Sequence, residues 1–110
     1  MLYINGNEIR LTRGDTAYLT VPIINEATGE EYVMAKDDIL TFSMKRNIND
    51  PRACLQKVCV GSNEFHIAPK DTAGFEFAKY KYDVQLSLAN GDIYTVIEPT
   101  SFRILEEVSC

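Results

Sequence analysis

The chain has one histidine, His66, and it is the first candidate for general acid–base work near neutral pH. A hydrolytic triad also needs a nucleophile and an orienting group. Only Ser62 stands near in sequence, and His66 alternates with Phe65 and Ile67 as a strand residue would. His66 is therefore read as structural or merely exposed, and no catalytic residue is assigned. The acidic pairs Glu30-Glu31, Asp37-Asp38 and Glu106-Glu107 raise calcium binding or two-carboxylate glycoside chemistry. Neighbours on a strand diverge, and no run offers the spaced oxygen ligands of a calcium loop, so these pairs read as solvated turns. Three cysteines, an odd number, argue for thiols rather than a closed disulfide framework. Cys54 and Cys59, five apart, fall on opposite faces of one strand, and Cys110 stands apart from both. Without a CxxC pair or a histidine cluster no metal is expected, and no cofactor is called for. Arg13-Gly14-Asp15 spells an integrin-recognition tripeptide, but Gly14 and Asp15 are also the residues that build a turn between strands.

The elements that must hold these residues are strands. Ala17, Leu19, Val21 and Ile23 alternate with Tyr18, Thr20, Pro22 and Ile24, and Pro22 points to an edge or a bulge. In 39–46 one parity carries Leu40, Phe42 and Met44 against Thr41, Ser43 and Lys45. Tyr80, Tyr82, Val84, Leu86 and Leu88 share a face opposite Lys81, Asp83, Gln85 and Ser87. Asn90-Gly91 then closes a hairpin whose two-residue loop would set Leu88 against Ile93, Leu86 against Thr95 and Val84 against Ile97. Asn5-Gly6 predicts a second hairpin joining Tyr3-Ile4 to 8–11. Gly61 to Asn63 should turn the strand 54–60 back onto 64–67. Glu98-Pro99-Thr100 should end one strand before 101–108 begins another with Phe102 and Ile104 inward. Pro69 to Gly74 is the one segment with the signals of a helical turn, Pro at the start and Gly at the stop.

These spacings predict an all-β fold of seven to eight short strands with one helical turn, arranged as a single antiparallel β-sandwich domain over residues 1–110. The aromatic residues, Tyr18 and Tyr94 excepted, belong to packing positions rather than a sugar-stacking platform. Sixteen acidic residues against eleven basic ones give a net charge of -5, which disfavours nucleic acid as a partner. The start of the sequence lacks the features of a signal peptide and no stretch is apolar for long enough to span a membrane, so synthesis and retention in a cytoplasm are expected.

Arg13-Gly14-Asp15-Thr16, Pro69-Lys70-Asp71-Thr72 and Tyr80-Lys81-Tyr82-Asp83-Val84-Gln85-Leu86, standing in this order, resemble a family of phage and prophage proteins of Gram-positive bacteria. The likeness is to the immunoglobulin-like N-terminal module of baseplate upper proteins and to small tail or virion proteins related to it. It runs from Ile9 to Val108, with Ala78 where the family carries glycine. Pro69 to Ala73 is similar as well to the segment before the tyrosine corner of immunoglobulin domains, though no Cys and Trp pair accompanies it. The resemblance implies an immunoglobulin-like sandwich serving as a non-enzymatic structural or accessory subunit of a phage tail or baseplate. Its partners would be weakly associating copies of itself and neighbouring tail proteins, and its destination the virion. The competing class is a recognition module for a host-surface carbohydrate or protein.

Overall fold

A computed structural model describes residues 2–5, 7–24, 28–47, 49 and 52–106 of the chain, with only the backbone described for 2–5. Gly6, residues 25–27, Ile48, Asp50 and Pro51 within the expected turns, and Glu107, Val108 and Cys110 near the end, lie outside the described residues.

The described chain is mostly β, as its alternating pattern predicts. In order come β1 (Leu2–Asn5), β2 (Glu8–Thr12), β3 (Ala17–Thr20), β4 (Ile39–Lys45), β5 (Leu55–Val60), β6 (Glu64–Ile67), the single helical turn α1 (Pro69–Thr72), β7 (Lys79–Ser87) and β8 (Ile93–Leu105). Six strands form one curled sheet in the order β1-β2-β8-β7-β4-β5, and β3 pairs with β6 in a second, small sheet. The inward residues of both sheets make one core. Phe42 on β4 meets Phe65 on β6 with ring centroids 5.8 Å apart, and Tyr82 and Phe102 complete the aromatic cluster at 5.2 and 6.0 Å from Phe42. The Phe65 contact is tilted, the Phe102 contact edge-on and the Tyr82 contact stacked, all away from a face-to-face sandwich that the ring quadrupoles disfavour.

Side-chain parity follows the sequence closely. From Ala17 to Ile24 burial alternates without a break, Leu40, Phe42 and Met44 are inward on β4, and Tyr80, Tyr82, Val84 and Leu86 are inward on β7. Pro22 lies just beyond β3, where its missing N–H costs no ladder bond. Strand pairing departs from expectation in four places.

The large sheet is mixed, because β2 runs parallel to β8 with Ile9 beside Phe102 and Leu11 beside Ile104. The parallel register buries all four of these side chains together. Next, β5 does not turn back onto β6. It pairs with β4 through Leu40↔Cys59 and Phe42↔Lys57, while β6 crosses to β3. Gly61, at φ 68, makes that crossing, and a Cβ there would stand 3.2 Å from the Lys36 backbone.

Third, the Asn90-Gly91 hairpin has a longer loop than the two residues expected. Leu88 N–H bonds to Asp92 C=O and Gly91 N–H to Leu88 C=O, with Gly91 at φ 95, so Leu86 faces Tyr94 rather than Thr95. A turn followed by a glycine in the left-handed region is the three-residue alternative. The expected pairing of Val84 with Ile97 is restored by irregularities on either side of Val84. Fourth, β8 passes straight through Pro99. Residues 98 and 99 lie opposite Asp83 alone, between the pairs Tyr82↔Thr100 and Val84↔Ile97, so proline occupies a bulge instead of ending the strand.

Candidate interaction surface

Among the described residues, those with chemical potential lie apart from one another. His66 is exposed on the outer face of β6, stacked on Tyr18 of β3 with centroids 4.7 Å apart and planes 11° from parallel. Ser62, the nearest hydroxyl in sequence, accepts the Glu64 N–H at 3.3 Å and so serves its own turn. Glu30, Glu31, Asp37 and Glu106 are exposed, and Glu107 is outside the described residues. Among the described residues no three histidine, cysteine or acidic side chains are grouped as a metal would need.

Arg13-Gly14-Asp15 is tied down rather than presented. The Arg13 guanidinium lies 4.2 Å from the Phe77 ring centroid and donates to Phe75 C=O at 3.3 Å. Gly14 N–H donates to Thr72 Oγ1 at 2.9 Å, which docks this turn on α1. The turn beginning at Pro69 is fixed in its own way, with Asp71 accepting the Ala68 N–H at 2.7 Å and pairing with Lys57 at 2.7 Å. Desolvation pushes the Asp71 carboxyl up, but the Lys57 and Ala68 bonds outweigh it and hold the group below its ordinary value.

Sequence reasoning missed Asp38. It reads as half of an acidic turn, yet it is only 3% exposed and accepts bonds from the Tyr32 hydroxyl and, at 2.9 Å, from Ala35 N–H. Those bonds, Tyr32's first, lower its pKa against the opposing effect of burial, and the same Tyr32–Asp38 bond, followed by burial, raises the pKa of Tyr32. The hint in the sequence is Tyr32 six residues earlier, but 32–38 forms no continuous strand or helix, so no period ties the two together. Tyr82 is a second buried hydroxyl, donating to Asn7 C=O, and burial pushes it up to about 12. It borders an apolar cleft of about 180 Å³ between the sheets, lined also by Ile9, Leu19, Val21, Phe42 and Val84. Pockets for small molecules usually span about 300–1,000 Å³, so this space falls short of one.

The surface that stands out is the outer face of the large sheet. Register places Val60, Ile39, Ser87 and Ile93 in one row across β5, β4, β7 and β8, with Val58, Thr41, Gln85 and Thr95 in the next. Val60 and Ile93 are each 63% exposed and Val58 is 56% exposed, and the parity that leaves them outside is the same one that buries Leu40 and Leu86. Both rows are free of charge in a chain of net charge -5. An uncharged strip in which Val58, Val60, Ile39 and Ile93 supply the apolar surface has the character of a contact surface.

β5 also forms an edge, since among the described residues its far side pairs with no strand. Edge strands commonly carry an outward lysine as a block. Lys57, the one charge of β5, instead faces the inner side opposite Phe42 and is held by Asp71. Cys59 is inward too, its Sγ donating to Glu64 C=O at 2.8 Å, and burial followed by the Glu64 charge pushes its thiol up. No described helix is long and apolar enough to cross a membrane. No family model matches the chain, and no curated protein or solved structure matches it significantly.

Proposed function

We propose that this chain is a non-enzymatic structural or accessory subunit that acts by protein–protein assembly, and that the assembly is a phage or prophage tail or baseplate reached from the bacterial cytoplasm. The observation that carries the reading is the uncharged apolar strip of Val58, Val60, Ile39 and Ile93 beside the open edge of β5. The phage assignment rests on the three motifs that resemble baseplate upper proteins. Two of these meet in space through the Gly14–Thr72 bond, and the third begins at Tyr80, whose hydroxyl donates to Glu76 C=O at 3.1 Å. A tyrosine reaching back a few residues at the entry of a strand is a trait of immunoglobulin-like sandwiches, and it favours that finer description of the fold.

The exposed Tyr18–His66 stack favours a second reading, a module that recognises a host-surface carbohydrate or protein. Sedimentation of the purified chain with the products of its neighbouring genes separates the two. Co-sedimentation with a tail protein supports the assembly reading. A chain indifferent to those products but retained on a glycan array, with retention lost in Tyr18→Ala, replaces it with recognition.

A further inference from the structure

We infer that the open edge of β5 pairs antiparallel with the same edge of a second copy, about a two-fold axis at Val58, and joins two six-stranded sheets into one. The inference rests on the assembly reading and names the surface and the partner. Gly61 N–H bonds to Asp38 C=O at 2.8 Å in the frame of the Ile39↔Val60 and Leu40↔Cys59 register, which places Gly61 and then every second residue back along β5 on the bonded side toward β4. Bonded and non-bonded rungs alternate in an antiparallel ladder, so Cys59 and Lys57 spend their backbone groups on β4. Gln56, Val58 and Val60 therefore turn their N–H and C=O groups to the open side. An antiparallel copy centred on Val58 sets Val58 against Val58 and Gln56 against Val60, and these rungs offer about six mutual bonds.

The side chains agree with the backbone. Gln56, Val58 and Val60 all project from the outer face, so pairing brings the two valine clusters together with Ile39 behind each. Two copies of net charge -5 repel at a distance, and the outward residues of β5, Gln56, Val58 and Val60, are uncharged and let the copies meet without juxtaposing like charges. Lys57, held on the inner side by Asp71, does not oppose the approach. An edge of six residues buries less than the roughly 1,000 Å² of a stable interface, so the association is weak and reversible. It tightens with added salt, because screening removes the net repulsion and leaves the backbone bonds and valine contacts.

Sedimentation velocity from about 10 μM to about 1 mM, at low and high salt, tests this in the full chain. The wild type should show a monomer–dimer equilibrium that tightens with salt. Val58→Lys, which sets two like charges on the axis, should weaken it about tenfold or more while far-UV circular dichroism stays unchanged; Val58→Thr should keep it. As a readout that does not depend on the lysine variant folding, Gln56→Cys and Val60→Cys are made with the native cysteines changed to serine. Mixed and oxidised, the two should cross-link, while neither should do so alone. A wild type that stays monomeric throughout, or an equilibrium that Val58→Lys leaves alone, overturns the inference. If the chain is monomeric but binds a neighbouring gene product through Val58, the edge takes a foreign strand: the second copy is excluded and the assembly reading stands. Self-association lost in Val58→Lys, with no binding to any neighbouring product, supports the edge pairing and counts against the tail assignment.

Discussion

Thr72 Oγ1 accepts the N–H of Gly14 at 2.9 Å, across 58 residues of sequence, from a side chain that is 0% exposed. The bond docks on α1 the turn that leads from β2 of the large sheet to β3 of the small one. Gly14 sits at φ 85, a conformation that favours glycine, and Asp15 N–H closes the same turn on Thr12 C=O at 3.1 Å.

Thr72→Val keeps the shape of this side chain and removes the acceptor, leaving the Gly14 N–H unsatisfied. The expected loss is about 1–3 kcal/mol in chemical denaturation. Thr72→Ser restores the acceptor and should recover most of it. Equal losses in both variants would mean that packing of the methyl group, not the bond, is what Thr72 contributes.

Leu86 lies inward on β7 next to the exposed Gln85. Leu86→Ala should cost about 2–5 kcal/mol through lost burial and a residual cavity. Gln85→Ala should change stability by no more than about 0.5 kcal/mol. Urea midpoints of the two variants check the face assignment directly.

Asp38 ties stability to acid. Its folded-state pKa is lowered, with the Tyr32 hydroxyl as the main cause, so its contribution is present above the unfolded carboxylate value near 4 and is lost as pH falls through the folded value. Asp38→Asn should therefore destabilise the protein at neutral pH and flatten the decline of stability below roughly pH 4. Tyr32→Phe should act in the same direction. Unfolding midpoints between about pH 2 and pH 7 measure the slope.

Cys54 and Cys59 should label at different rates in a Cys110→Ser background. Cys54 is exposed, whereas Cys59 is partly buried, bonds to Glu64 C=O and has a raised pKa, which lowers its thiolate fraction. Ellman's reagent at pH 8 should modify Cys54 first and reach Cys59 much more slowly, with the gap closing in denaturant. Comparable rates in the folded state would show that β5 opens readily from β6.

By itself the sequence determined which way side chains face on β3, β4 and β7, but not at the start of β8, where the longer hairpin loop turns Ile93 and Thr95 outward instead of inward. Alternation with a period of two separated Leu40, Phe42 and Met44 from Thr41 and Ser43, and Tyr80 to Leu86 from Lys81 to Gln85, because burial on one face of a strand writes itself into neighbouring positions. The same local logic placed the helical turn at Pro69 and the exposed ring of Tyr18, whereas Tyr94, also exposed, pairs by register with Leu86 rather than lying on the outer face its parity predicts. Tertiary structure decided which strands are neighbours. That β5 joins β4 rather than β6, that β2 runs parallel to β8, and that β8 continues through Pro99 depend on contacts far apart in the chain, which leave no periodic mark on either segment. The burial of Asp38 belongs to the same class, since one hydroxyl arriving from Tyr32 makes a buried carboxylate tolerable. So does the strip of Val58, Val60, Ile39 and Ile93. Each looks like an ordinary strand residue in isolation, and only the registers of β5, β4, β7 and β8 align them on one uncharged face.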